Sequence, residues 1–228
     1  MANGYYRPGT AATEDCQATS SSYDNSSTEA YIGKVSDTVS RYYCRYQLDI
    51  PKGATIDEAV LFLYVNQRNG TVNAIITAED TDSAAEYSSN PYNRSVIATS
   101  VAWNNMAPSP YWKRSPDIKT VIQAIVNRPG WAANNYIGLR ISADNAAAGN
   151  YAAIVQSNYG ALYPVLLVAY HTSEGKYTKF CFVEASGDDT YNKDNDTTGR
   201  ITEAYAQFGH DDSLAYRAFF RFKPGIHA

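Results

Sequence analysis

Hydrophobic and polar residues alternate one by one along residues 41–50 of this chain. The apolar positions of this run are Tyr42, Cys44, Tyr46, Leu48 and Ile50. A period of two places successive side chains on opposite faces of a pleated strand. The run is therefore predicted to be a strand with one face in a core and the other face in water.

The next run, residues 56–65, is apolar on both parities. A strand of this composition is typical of a sheet that is covered on both faces. Pro51 and Gly53 separate the two runs, because proline has no amide donor for a strand ladder and glycine permits turn geometry. The two runs are therefore predicted to be separate strands at the centre of a β-rich core.

Shorter segments of alternating or apolar residues predict the other strands, at 13–19, 27–34, 72–78, 95–103, 136–142, 151–156 and 164–170. The dipeptide Asn69-Gly70 is typical of a two-residue hairpin turn. It predicts that the strand ending at residue 65 pairs with the strand at 72–78. The pattern as a whole indicates an all-β fold.

One segment repeats with the helical period instead. Its apolar residues, at i, i+3, i+4 and i+7, are Ile118, Val121, Ile122 and Ile125. Ser115, Pro116 and Asp117 precede them as an N-cap, a first-turn proline and an acid at the positive end of the helix dipole. We expect one short helix, closed by Pro129-Gly130, that covers an end or an open face of the sandwich, such as the second apolar face of residues 60–64.

The strand pattern begins again after residue 173. Residues 41–46 (RYYCRY) match residues 217–222 (RAFFRF) at a displacement of 176. Such a repeat predicts tandem units, a first domain at 1–173 and a partial second copy, first strands only, at 174–228. Either the chain is a piece of a longer one, or another subunit completes the second unit. In the latter case the subunit-contact candidates are Phe219, Phe220 and Phe222.

Composition narrows the classes of function. The 228 residues are 44% hydrophobic, which is enough for a sizeable core. The net charge of -4 argues against a general electrostatic grip on nucleic acid, which needs clustered lysine and arginine. No long apolar run predicts a membrane span, and residues 1–16 lack the apolar stretch of a signal peptide.

Residues that could carry covalent chemistry are scattered. His171, His210 and His227 lie after the first unit or in the partial copy, and none is near a serine or cysteine in a nucleophile turn. We therefore expect a protein without enzymatic activity.

Three cysteines, Cys16, Cys44 and Cys181, are too few and too scattered for a disulfide framework or a zinc site. Cys44 falls on the apolar parity of its strand and is interpreted as a small core residue. A bridge between Cys16 and Cys44, and an intermolecular bridge through Cys181, stay open as alternatives.

Glu79, Asp80 and Asp82 end the strand predicted at 72–78 and offer oxygen ligands of the kind that calcium binds. The alternative is a solvated acidic strand end, which is favoured because no glycine-bearing calcium loop surrounds these acids. Calcium at these residues is the only cofactor that the sequence suggests.

Aromatic side chains are the candidates for contact with a glycan or a protein partner, because a flat ring stacks on the C–H face of a sugar and buries a large area. The candidates are Tyr23, Tyr87, Tyr92, Tyr111, Trp112, Trp131 and Tyr159. For each tryptophan the alternative is a structural role, in which it seals the core or holds the helix.

Several motifs in a fixed order carry a resemblance to a known family. They are R-Y-x-L-D-I-P-x-G-A-T-I-x-x-A-x-L-x-L-Y-V (45–65), A-E-D-x-D-S-A (78–84), V-A-W (101–103), Y-W (111–112), S-P-D-I-x-x-V-I-Q-x-I-V-x-R-P-G-W (115–131) and P-V-L-L-V-A-Y (164–170). In these residues the chain resembles the DNRLRE-type domain, also called the disaggregatase-related repeat. The resemblance covers about residues 11–172, with a partial second match from about residue 185.

This resemblance implies an all-β, jelly-roll-like β-sandwich without catalytic activity, similar to carbohydrate-binding modules and often arranged in tandem in large surface or secreted proteins. It favours an exposed structural or adhesive protein, such as a virion decoration or fibre or a cell-surface appendage subunit. The expected partners are other copies of itself, neighbouring assembly subunits and polysaccharide. The second hypothesis is a soluble glycan-binding module of a secreted polysaccharide-degrading protein.

Overall fold

The computed structural model describes residues 2–6, 13–106, 111–159, 162–173, 209–211 and 214–216. The chain divides into two compact units, Met1–Cys181 and Phe182–Ala228. The first unit holds all of the described residues except 209–211 and 214–216.

The described part of the first unit consists of β-strands and one α-helix. The elements are β1 (Ala2–Tyr6), β2 (Asp15–Ala18), β3 (Tyr23–Asp24), β4 (Glu29–Val35), β5 (Thr38–Gln47), β6 (Thr55–Asn69), β7 (Ala74–Glu79), β8 (Val96–Trp103), β9 (Tyr111–Arg114), α1 (Lys119–Val126), β10 (Tyr136–Ser142), β11 (Tyr151–Val155) and β12 (Val165–His171). A single 3-10 turn, Ser157–Tyr159, follows β11. The predicted mostly-β class with one short helix is confirmed.

The twelve strands form one antiparallel, strongly curled sheet. Its hydrogen-bonded path runs β1-β12-β6-β11-β4-β5-β10-β7-β8, while β2 pairs with β3 and β5, and β9 pairs with β6. We refer to β1-β12-β6-β11-β4 and β5-β10-β7-β8 as the two halves of this path. One hydrophobic core contains fully buried side chains from both halves, such as Leu166 of β12 and Ile76 of β7. Strands that lie far apart along the path thus share one interior.

The inner face of β5 is the one that the alternation predicted, since Tyr42, Cys44 and Tyr46 are fully buried in this core. The expectation of a wet outer face is wrong for Tyr43 and Arg45, which are also buried. Tyr43 belongs to a second, smaller hydrophobic cluster on this outer face. Its members are Cys16, Ala18, Tyr43 and Tyr87, with Tyr92 packed against it.

The helix packs on the core side of the sheet and not on the outer face of residues 60–64. Val121, Ile122 and Ile125 belong to the same core as the inward residues of β6, and α1 contacts β6, β7 and β8. These strands belong to the two halves of the path. The helix therefore fills the open side that the curl of the sheet leaves.

The start of the helix is tied to β6. The Ser115 hydroxyl accepts the Leu61 N–H at 2.9 Å, and Asp117 Oδ1 accepts the N–H groups of Ala59 (3.0 Å) and Lys119 (2.9 Å). The predicted serine N-cap is therefore wrong, because the hydroxyl is used to hold the sheet. Asp117 lies before the N-cap residue Ile118 and outside the first turn, and it contributes by accepting the N–H of the first helical residue, Lys119.

Asn69-Gly70 forms a turn, with Gly70 at a φ of +65°, but the hairpin predicted from it does not form. β6 pairs with β9, β11 and β12, whereas β7 pairs with β8 and β10. The turn carries the chain from one half of the curled sheet to the other.

Cys16 and Cys44 are both free. Asp15 lies opposite Cys44, and Cys16 lies opposite Tyr43, in the β2–β5 ladder. Directly opposed residues share a face of the sheet, so the two thiols project to opposite faces. The bridge kept open between them is excluded by this geometry. Cys181 lies outside the described residues.

The second unit contains a described hairpin, β13 (Gly209–Asp211) with β14 (Leu214–Tyr216). Its register pairs Gly209 with Tyr216, and the β4–β5 hairpin pairs Gly33 with Ser40. The three pairs of one hairpin match those of the other at a displacement of 176 residues, the value found for the sequence repeat. The bounds 1–173 and 174–228 stay a prediction, and the contact candidates Phe219, Phe220 and Phe222 lie outside the described residues.

Within the part of the chain that the structure describes, no helix has the length and apolar character needed to cross a membrane.

Candidate functional site

The outer face of β6 carries an aromatic surface. β9 pairs with β6 so that Trp112 lies opposite Tyr64 and Arg114 lies opposite Phe62, which places these four side chains on one face. The ring centroids of Tyr64 and Trp112 are 5.8 Å apart at an interplanar angle of 87°, an edge-to-face contact of the favoured kind. We refer to Phe62, Tyr64, Trp112 and Arg114 as the β6–β9 surface.

Trp112 in this surface is 42% exposed. Arg114 Nη2 lies 2.6 Å from Glu58 Oε1, and this ion pair borders the aromatic rings. The neighbouring Val165 and Leu167 of β12 are only partly buried on the same face, opposite Phe62 and Val60. The second apolar parity of β6 is therefore explained by a half-exposed aromatic and aliphatic surface, where full cover was expected.

The backbone beneath this surface is held firmly. Leu63 and Val65 of β6 are buried in the core on the opposite face, and Ser115, directly after β9, donates its N–H to the Leu61 carbonyl at 2.8 Å. The backbone that carries Tyr64 and Trp112 is thus held in place, and the contact between their rings is already formed, which lowers the entropy cost of binding.

Three other aromatic candidates are exposed elsewhere. Tyr111 is 63% exposed but lies opposite Val65, so it projects to the other face of β9, beside Lys113 (Nζ 5.8 Å from the ring centroid). Tyr159 is 53% exposed on the 3-10 turn. Tyr23 is exposed in its ring, and its hydroxyl donates to the Ser88 carbonyl.

Three candidates serve the fold. Trp131 is buried, and its indole N–H donates to the Ile50 carbonyl at 3.0 Å, so the structural alternative is correct for it. Tyr87 is fully buried in the outer cluster. Tyr92 is half-buried beneath the Arg41 guanidinium, whose carbon lies 3.9 Å from the ring centroid. As contact residues, Trp131 and Tyr87 are therefore ruled out by burial.

The three acids considered for calcium are bound by two arginines. Arg94 Nη1 lies 3.2 Å from both carboxylate oxygens of Glu79. Arg128 Nε donates to Asp82 Oδ1 at 2.7 Å, and its Nη1 donates to Asp80. Among the described residues no group of three His, Cys, Asp or Glu side chains is arranged to hold a metal ion. The acids form ion pairs that pin the 79–94 segment and the end of the helix.

His171 forms a pair with Asp57 at the end of the β6–β12 ladder. Its Nδ1 lies 3.0 Å from both oxygens of the carboxylate. The contacts described for this imidazole include no serine or cysteine that it could activate.

Sequence reasoning missed a buried acid in the core. Asp15 is fully buried and accepts three hydrogen bonds, from the Tyr42 hydroxyl (2.8 Å), the Ser157 N–H (2.8 Å) and the Ser157 hydroxyl (2.5 Å). Burial raises its pKa, and the bonds from Ser157 and Tyr42 oppose that rise. The acid holds the 3-10 turn that carries Tyr159 against the inner face of β5.

Sequence reasoning also missed a polar cavity. A solvent-open pocket of about 250 Å³, which we call the asparagine-lined cavity, lies between the β6–β7 turn and the β10–β11 loop, and four of its six lining residues are exposed. Its lining residues are Thr71, Asn73, Asn145, Ala146, Ala147 and Asn150. The signal that could have found it is the concentration of asparagines in two loops, at 69–73 and 145–150, but nothing local says that these loops meet.

Comparisons of the chain with protein-family models and with curated proteins find no match.

Proposed function

We propose that this chain is a non-catalytic structural and adhesive module of an exposed biological surface, such as a virion decoration or fibre or a cell-surface appendage. It acts by binding glycans and neighbouring subunits. The observation that carries this proposal is the β6–β9 surface, a half-exposed aromatic patch on a rigid sheet. A preformed aromatic platform suits sugar rings, which present flat C–H faces together with hydroxyl groups.

The strand arrangement supports the finer architecture that the resemblance implies, a jelly-roll-like β-sandwich. β1, β12, β6, β11 and β4 form one run of neighbours, and β5, β10, β7 and β8 form the other. Three residue pairs of the β4–β5 hairpin join the two runs. The runs fit the two layers of a sandwich with the common core between them.

The arginine-rich contacts support a passive scaffold. Glu79 and Asp82 are engaged by arginines, and Glu14 is held by Arg45. Carboxylates engaged in this way stabilise loops, and they are poorly placed to exchange protons with a substrate.

Native affinity electrophoresis in gels that contain single polysaccharides tests the proposal. We expect at least one polysaccharide to retard the wild-type chain, and Trp112→Ala to reduce the retardation at least fivefold, because the indole is the exposed ring of the β6–β9 surface. Tyr159→Ala removes another exposed candidate ring, on the 3-10 turn, and should keep the wild-type retardation if the β6–β9 surface is the glycan site. Equal retardation of Trp112→Ala and wild type contradicts glycan binding at this surface. A chain that no polysaccharide retards and that does not self-associate in light scattering contradicts the proposal as a whole.

A second candidate function is a soluble glycan-binding module of a secreted polysaccharide-degrading protein, favoured by the same aromatic surface. Sedimentation separates the two. An assembly subunit pellets with its particle or filament and loses that property when residues 219–222 are deleted. A module stays monomeric in both forms and keeps its retardation by polysaccharide.

A further inference from the structure

We infer that the asparagine-lined cavity is a second binding site, which takes one neutral sugar residue through its hydroxyl groups. This inference deepens the proposed function, and it rests on that function for the expectation that glycans are the natural ligands. The cavity is built by the β6–β7 turn and the β10–β11 loop, whereas the β6–β9 surface is built by two strands.

The two loops that form the cavity are locked to each other by side-chain amides. Asn69 Nδ2 donates to the Gly149 carbonyl at 2.7 Å, and Asn150 Nδ2 donates to the Thr71 carbonyl at 3.2 Å. The fit is close, because a Cβ on Gly70 would lie 2.1 Å from Asn150 Oδ1. The walls are therefore preorganised, and a ligand does not have to order them.

Polar groups in the lining are left for a ligand. Asn73 Oδ1 accepts the Asn105 N–H at 2.8 Å, which fixes the orientation of the amide and turns its NH₂ group to other partners. Asn145 is exposed, and the contacts described for the molecule give its side chain no hydrogen bond. An amide both donates and accepts, so it can meet a pair of neighbouring hydroxyl groups, each of which also does both.

The charge and size of the cavity restrict the class of ligand that can bind in it. Its described lining contains asparagine, threonine and alanine side chains and no ionised group, which favours a neutral sugar over a uronic acid or a sulfated residue. Its volume of about 250 Å³ is below the roughly 300–1,000 Å³ of sites for drug-sized ligands. Ala146 and Ala147 offer a small apolar area to a ring. One monosaccharide unit fits these limits, and a longer chain would continue into solvent.

The test is an NMR titration of the full ¹⁵N-labelled chain with methyl glucopyranoside, methyl mannopyranoside, methyl galactopyranoside and methyl glucuronide. We expect saturable shifts of the side-chain amide signals of Asn73 and Asn145 with at least one neutral glycoside, and a dissociation constant at least tenfold weaker for the glucuronide. Asn145→Ala, followed through Asn73, and Ala147→Leu, which fills the cavity from an exposed position, should each weaken binding at least fivefold. Thr120→Ala, an exposed helix position outside the lining, should leave it unchanged.

The inference is overturned if no neutral glycoside shifts these amides saturably, if Ala147→Leu binds as the wild type does, or if the glucuronide binds as tightly as the neutral sugars. Titrations with the polysaccharides used for electrophoresis distinguish failure of this inference from failure of the proposed function. The readout is whether the Trp112 indole N–H signal shifts. A shifted indole with unmoved asparagine amides leaves the β6–β9 surface as the glycan site and removes the cavity. If neither signal moves with any sugar, both fail.

Discussion

Arg45 lies on the parity of β5 that the sequence pattern assigns to water, yet its guanidinium is buried. Its Nε and Nη2 donate to the two carboxylate oxygens of Glu14, each at 2.7 Å, and Nη1 donates to the Ala84 carbonyl at 3.0 Å. The guanidinium carbon also stacks 4.0 Å from the centroid of the Tyr136 ring. Each of the three guanidinium nitrogens donates a hydrogen bond, which is how an arginine is retained in a buried position.

Replacing Arg45 by methionine should be strongly destabilising, because it leaves the Glu14 carboxylate buried without a partner. We expect the free energy of unfolding to fall by about 3–5 kcal/mol. The matched control is Arg114→Met, which breaks the exposed pair with Glu58 and should cost about 1 kcal/mol or less. Urea denaturation measures both, and similar losses for the two variants would show that Arg45 is not a buried partner.

Asp15 gives the stability of the protein a defined dependence on pH. Burial raises its pKa above the ordinary value of 3.8, so the folded state binds more protons at this site than the unfolded state between 3.8 and the raised pKa. The contribution of Asp15 to the free energy of unfolding is therefore largest below pH 3.8, and it is lost as the pH rises through the pKa that Asp15 has in the folded state.

Asp15→Asn removes this titration. The free energy of unfolding of the wild type minus that of the variant should decrease as the pH rises above about 4, and then level off. Urea denaturation of both proteins across this range measures the difference. Glu79, whose pKa is also raised by burial despite Arg94, titrates in both proteins and cancels. A difference that is flat or increases with pH would contradict the role assigned to Asp15.

At the scale of elements, the helix shows how a correct local prediction can leave a position open. Its period and its apolar residues were visible in the sequence, and the structure places α1 within one turn of the predicted start. The sequence pattern left open which side of the sheet it covers, an end or an open face, because residues 60–64 are apolar on the outer parity as well. The curl of the sheet creates the open side that the apolar residues of the helix fill.

Ile122→Ala tests that placement. Ile122 is fully buried in the main core, so its truncation should lower the free energy of unfolding by about 2–5 kcal/mol through lost burial and a residual cavity. Thr120→Ala on the exposed side of the same helix should change it by less than about 0.5 kcal/mol. Equilibrium unfolding in urea measures both. A loss for Ile122→Ala as small as that of the control would mean that the helix covers the sheet only peripherally.

β9 shows the opposite case, an element that is absent from the predicted strands. Four residues of sequence YWKR have no pattern long enough to indicate a strand. They become one because β6 offers them backbone partners from Phe62 to Val65. The β6–β9 surface therefore could not be assembled from the sequence, although Trp112 itself was a candidate.

At the scale of the whole molecule, long-range pairing decides what the strands build. The turn at Asn69-Gly70 has the composition of a hairpin, yet its two strands pair with partners far away in the chain. Similarly, the asparagines of the cavity come from two loops that are some 75 residues apart in the sequence. A ligand site that depends on such pairing has no local signature.

The sequence by itself determined the class of the fold, the positions of most strands, the inner parity of β5 and the existence of the helix. These follow from periodicity, which reflects the geometry of a few neighbouring residues. The displacement of 176 residues between the two hairpins was also visible in the sequence repeat before their register was known.

Tertiary structure alone decided which of the remaining side chains are exposed. Tyr43, Tyr87 and Trp131 are buried, and Trp112 is open to solvent, because exposure depends on what the rest of the chain places above a side chain. The same reason applies to Glu79, Asp80 and Asp82. Their carboxylates are of the type that binds calcium, but in the folded state they form ion pairs with Arg94 and Arg128 from other segments of the chain. Residue type limits what a side chain can do, and the packing of the curled sheet determines what it meets.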